Sequence, residues 1–66
     1  MPNNTRTRNI RSLMYQVIAL QNVEDKIVEI GHQYEQADRV TYDALSAVVA
    51  AVNECKVTVK HIADRL

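Results

Sequence analysis

Residues 36–41 read Gln-Ala-Asp-Arg-Val-Thr (QADRVT), and whether the chain bends there decides the fold. Neither glycine nor proline marks the stretch, but Asp38 and Thr41 are residue types that cap helix N-termini. Apolar stripes of matching length flank it on both sides. On the C-terminal side Leu45, Val48, Val52, Cys55, Val59, Ile62 and Leu66 recur in alternating three- and four-residue steps. That spacing predicts a helix with a coiled-coil-like seam, with Ala44, Ala51 and Ala63 beside it to admit a close neighbour. The run CKVTVKHI also alternates with period two, as a strand would, but a single strand has nothing to pair with in this chain.

On the N-terminal side the stripe is broader. Ile10, Leu13, Val17, Leu20, Ile27 and Tyr34 form it, Met14, Val23, Val28 and Ile30 flank it, and Glu24 and Gly31 interrupt it. No proline follows Pro2, so nothing forbids one long helix. A fold near Arg39 sets Tyr34 beside Leu45, Ile27 beside Val52, Leu20 beside Val59 and Leu13 beside Leu66. The expectation is therefore an all-α, antiparallel two-helix hairpin forming one domain over residues 1–66. Its parts are a flexible tail at 1–5, a helix at 6–37, a turn at 38–41 capped by Thr41, and a helix at 42–66. One continuous helix is the alternative; the complementary stripes favour the hairpin. Gly31, the only glycine, falls on the buried line and reads as a point of close helix contact.

Sixty-six residues make a marginal core, and without Trp or Phe each buried side chain contributes little at about 25 cal/mol per Å². Cys55 is the only cysteine, which excludes an internal disulfide. Self-association is the remaining route to stability. Val23, Val28, Ile30 and Val49 are the expected self-association residues, and a homodimer in the form of a four-helix bundle is the expected assembly. The longest near-apolar run, Ala44 to Val52, is less than half the roughly 20 residues that span a bilayer, and no secretory signal is visible. A cytoplasmic location without membrane insertion follows as the expectation.

Glu29-x-x-His32 has the spacing of a bundle metal ligand pair, with Asp25 one turn before it. At about 100° per residue, however, Asp25, Glu29, His32 and Gln36 fall opposite the apolar stripe. They read as a solvated face, and no metal is expected. Cys55 and His61 are out of phase with each other and make no zinc pair. Glu24 is the exception, a carboxylate on the buried line that reads as an interface or register-setting group. Ser12 and Ser46 have no histidine at helical spacing, one glycine cannot build a phosphate loop, and a thin hairpin encloses no pocket. No catalytic residue, cofactor or small-molecule substrate is expected.

The net charge is zero but unevenly distributed. Residues 1–22 carry Arg6, Arg8 and Arg11 and no acid, for +3. Residues 23–54 carry seven acids against Lys26 and Arg39, for −5, and residues 55–66 carry Lys56, Lys60 and Arg65 against Asp64, for +2. A hairpin gathers Arg6, Arg8, Arg11, Lys56, Lys60 and Arg65 at one end, where two side-by-side copies would form a double basic patch for nucleic acid. The other functional class is a small regulator that binds a partner protein: an inhibitor, adaptor, antiactivator or chaperone. Tyr15, Ile18 and Val57 lie off the core stripes and are its expected partner-binding residues. The protein-binding reading is preferred, with nucleic-acid binding as the alternative.

Overall fold

The computed structural model describes the backbone of residues 2–66 and the side chains of residues 5–66. It consists of two helices, α1 (Pro2–His32) and α2 (Arg39–Arg65), packed against each other in a hairpin. The result is a rod of 56 × 15 × 10 Å. At 1.5 Å per residue, α1 alone accounts for about 45 Å of that length. Among the described residues, no helix is long and apolar enough to cross a membrane.

The helix starts and the turn differ from the sequence expectation. α1 begins at Pro2, where a tail through residue 5 was expected; of that tail, Met1 and the side chains of residues 2–4 lie outside the described residues. A proline suits the first helical position, since its fixed φ is helical and its missing N–H would have no partner there. The turn occupies residues 33–38 rather than 38–41. Asp38, not Thr41, is the N-cap of α2, with an extended backbone at φ −153° and ψ 94°. Its Oδ1 accepts the Thr41 backbone N–H at 3.1 Å and its Oδ2 accepts the Thr41 hydroxyl at 2.6 Å. Thr41 therefore locks the cap from within the first turn. At the other side of the turn α1 tightens before it stops: the N–H groups of Gln33, Tyr34 and Glu35 donate to the carbonyls three residues back. Such short-range bonds close the helix end without a left-handed residue, and no positive φ occurs among the described residues.

The earlier turn changes the register. The less exposed positions of α1 are Ile10, Leu13, Val17, Leu20, Gln21, Glu24, Ile27 and Gly31; all but Gln21 form an unbroken heptad, which runs through Glu24 and Gly31. Those of α2 are Thr41 in the cap and then Tyr42, Leu45, Val49, Val52, Lys56, Val59 and Ala63 along the seam. Leu45, Val52 and Val59 hold their expected place. Val48, Cys55, Ile62 and Leu66 do not; all four are exposed. Tyr34, expected beside Leu45, lies in the turn and is exposed, and Gly31 stands opposite Leu45 instead. A Cβ at Gly31 would sit 4.0 Å from Leu45 Cβ, which is ordinary contact, so close approach does not require the glycine.

What holds this register is a polar layer that an apolar count passes over. Lys56 Nζ lies 3.5 Å from Glu24 Oε1 across the seam, and both side chains are only 17% exposed. Lys56 also donates a short hydrogen bond to Gln21 Oε1, while Gln21 Nε2 donates to Glu24 Oε2 at 3.3 Å and to Asp25 Oδ1 at 2.9 Å. Glu24 Oε1 is shielded from solvent and has no hydrogen-bond donor among the described residues, so the ammonium charge is its compensation. Removing either partner strands a desolvated charge, whereas removing both does not. Lys56→Met should cost about 1–3 kcal/mol in urea unfolding, and Glu24→Leu with Lys56→Leu should recover most of that loss. Equal stability for Lys56→Met and the parent chain would show that the layer does not restrain the hairpin.

The cap makes a second prediction. The Thr41 hydroxyl, and then the Thr41 backbone N–H, hold the Asp38 carboxyl below its ordinary value of 3.8. A depressed carboxyl stabilises the fold above its unfolded pKa and loses that contribution as pH falls through the folded pKa. Helicity in the parent chain should therefore decline in acid below about pH 4 more steeply than in Asp38→Asn, which retains a cap acceptor but no titrating group. Circular dichroism from pH 6 down to pH 2, as an approximate working range, reads the difference.

Candidate functional site

The hairpin buries little. Among the described residues only Ala63, at 4% exposure, and Gly31 are buried, and no large side chain is fully buried. The chain exposes 5158 Å², against about 4,200 Å² for a compact monomer of this mass. A two-helix layer has a seam but no second layer, so the surfaces beside the seam are the candidate binding sites.

Two such flanks exist, on opposite sides of the rod. Val28 and Ser46 line one open groove together with Ile27, Gly31, Leu45 and Val49, which puts the Val28 side of α1 and the Ser46 side of α2 on a common flank. Helical phase adds Met14 to that flank, with Ile18 and Val57 on its outer edges and Tyr15 on the back of α1, opposite the seam. Tyr15 is 61% exposed and Ile18 57%, and Val57 and Met14 are exposed as well. The register that faces Gln21 to Lys56 sets Ile18 level with Val59, about 3 Å along the rod from Val57. Tyr15, Ile18 and Val57 thus lie off the seam, as does Met14, which was expected beside the core stripe. Arg8, Arg11 and Lys60 are exposed around its terminal end.

The opposite flank was missed in sequence. Val23 and Ile30 come from α1, and Val48, Cys55 and Ile62 from α2; all five are exposed. On α2 the sequence positions Ala44, Val48, Ala51, Cys55, Thr58 and Ile62 form their own stripe of alternating four- and three-residue steps. α2 thus carries two heptad stripes side by side, one closed by α1 and one open. The open one bears a groove of about 420 Å³ lined by Ala51, Glu54, Cys55, Thr58 and Val59. By apolar spacing alone the two stripes read as one.

The other expected site residues divide as follows. Val23 and Ile30 lie on the open flank, Val28 lies on the Met14 side, and Val49 lies in the hairpin seam, so the four expected self-association residues do not share one surface. Val49 is turned to α1 because the seam runs through it rather than through Val48. Arg6, Arg8, Arg11, Lys60 and Arg65 are exposed at the terminal end of the rod, but Lys56 is engaged with Glu24 and Gln21 inside the seam and leaves the basic set. In the Glu-x-x-His stretch, His32 Nδ1 lies 3.3 Å from Glu35 and Glu29 lies 3.7 Å from Lys26, all at the surface. Among the described residues, no three His, Cys, Asp or Glu side chains converge on a metal position.

Compared with known proteins, the chain matches no family model, no curated sequence and no solved structure. The pairing of His32 with Glu35 at the surface makes a direct prediction. Because exposed pairs of this kind contribute about 0–1 kcal/mol, Glu29→Ala with His32→Ala should shift the urea midpoint little. Stoichiometric metal in chelator-free, untagged protein, lost in this double variant, would contradict the surface assignment.

Proposed function

We propose that this chain is a small, non-enzymatic cytoplasmic regulator that acts by protein–protein contact: an inhibitor, adaptor, antiactivator or small chaperone. In this reading it is a homodimer in the form of a four-helix bundle. The observation that carries it is the presence of two apolar flanks on opposite sides of one thin hairpin. A second copy occupies one flank, and the other remains for a different protein.

The Met14, Tyr15, Ile18 and Val57 patch is the surface for that partner. It is ridged by one helix and edged by the other, which suits an amphipathic helix laid along the rod. Its basic surround of Arg8, Arg11 and Lys60 favours a partner helix with acidic residues beside its apolar face. Tyr15 and Ile18 are the anchors, since aromatic and large aliphatic side chains dominate interface energetics. A second reading, nucleic-acid binding, is favoured by one observation: Arg6, Arg8, Arg11, Lys60 and Arg65 lie exposed at the same end. Without Lys56, and with no cluster of aromatic side chains at that end, it has less support.

The two readings separate in a native complex isolated with the tagged full-length chain. Tyr15→Ala and Ile18→Asp should each weaken the partner protein more than about tenfold while circular dichroism remains helical. Replacing Arg6, Arg8 and Arg11 with serine should matter much less at physiological salt, where exposed charges are screened beyond about 8 Å. For nucleic acid the pattern reverses: the triple arginine variant loses binding and its salt dependence flattens, with each lost phosphate contact reducing the log–log slope by about 0.9 on duplex DNA. A complex that survives Ile18→Asp and fails with the arginine variant would establish the second reading.

A further inference from the structure

We infer that the second copy seats on the Val23, Ile30, Val48, Cys55 and Ile62 flank, with the two hairpins running in opposite directions so that their turns lie at opposite ends of the dimer. This rests on the dimer proposed above and adds which face closes and in which orientation.

The face follows from area and spacing. The surface in excess of a compact monomer, about 900 Å², is close to the roughly 800 Å² per partner buried in a standard stable interface. The open stripe on α2 has the heptad spacing that a facing helix requires, and alanines at 44 and 51 lower its surface enough to receive a neighbour's ridge. The groove beside Cys55 lies on this flank. The opposite flank has only Met14 and Val28 next to the seam on α1, and faces Ser46, Asn53 and Lys60 on α2.

The orientation follows from charge. Gln21 faces Lys56, so Val23 is level with Cys55 and the rod divides there into two halves. The terminal half holds residues 1–22 and 55–66, with net charge +5; the turn half holds residues 23–54, with net charge −5. The sign changes at the level of Val23 and Cys55. Hairpins stacked with the same ends together would put like charge on like charge along the whole rod. Hairpins stacked in opposite directions put each basic half on an acidic half, with the two-fold axis at the Val23 and Cys55 layer. The apolar residues agree with this axis. Cys55 is midway between Val48 and Ile62, so Val48 of one copy meets Ile62 of the other, and Cys55 and Val23 form the central layer. The contact is self-complementary, as a two-fold interface must be.

The consequence is specific. The basic ends of the two copies are separated by the length of the rod and make no double patch, while the two Tyr15 and Ile18 patches face outward, one on each side. The assembly is read in two ways. Spin labels on Gln36→Cys, in a Cys55→Ala background, should lie roughly 40 Å apart, and labels on Asn22→Cys in the same background should lie within about 30 Å of each other. Short distances at both positions would overturn the orientation while leaving the dimer in place. A monomer by sedimentation, with no interspin coupling at either position, would overturn the dimer and this inference together. For the face, Cys55→Asp should weaken the dimer at least about 100-fold, and Val57→Asp by less than about threefold. The hairpin tolerates the first change because Cys55 is exposed in it. Dissociation by Val57→Asp with Cys55→Asp still dimeric would overturn the face.

Discussion

Everything about this hairpin depends on Glu24 meeting Lys56. Apolar side chains of similar size slide past one another with small changes in energy, and a seam of Val, Leu and Ile has several acceptable registers. A partly desolvated carboxylate does not slide: displaced by one turn, it faces a valine and carries an uncompensated charge. Gln21 narrows the choice further, because it accepts from Lys56 while its amide donates to Glu24 and Asp25. The single polar layer therefore fixes which residues of α2 face α1. By exclusion it also fixes which are left outside, so the character of both flanks is set at one point in the seam.

Sequence reading and structure part at this layer. The two-helix hairpin, the helical character of both halves and the outward direction of Glu29 and His32 were legible, because long apolar periodicity and helical phase report them directly. The exposed positions of Tyr15, Ile18 and Val57 were legible for the same reason. The register was not. Counting apolar residues favours Val48, Cys55 and Ile62 over Lys56 as seam positions, and the true seam is visible only if Lys56 is admitted. The signal was nevertheless present: an acid interrupts the stripe of α1 and a base interrupts one candidate stripe of α2, and a single antiparallel register brings them together. The turn was misplaced for a related reason. Asp38 and Thr41 are both cap formers, and the choice between them depends on Thr41 being able to bond back to Asp38 with both its hydroxyl and its N–H.

Two stripes on one helix explain why composition here is rich in small apolar residues yet gives a sparse core. Alanine at 44, 47, 50 and 51 makes α2 smooth on several sides, which helps packing against more than one neighbour and contributes little to any single contact. The large apolar residues are divided between the closed seam and the open flanks. The hairpin alone therefore leaves much of its large apolar surface exposed.

The near absence of buried side chains also governs how amide protons exchange with solvent. In a domain with a deep core, the slowest amides open only with global unfolding, and they report its free energy. In this rod, segments can open locally without disturbing a packed interior, so protection in the free hairpin should be uniformly shallow. Covering a flank would then deepen protection along the covered helix alone. Exchange rates along α1 and α2 would thus record which surfaces are covered at a given moment.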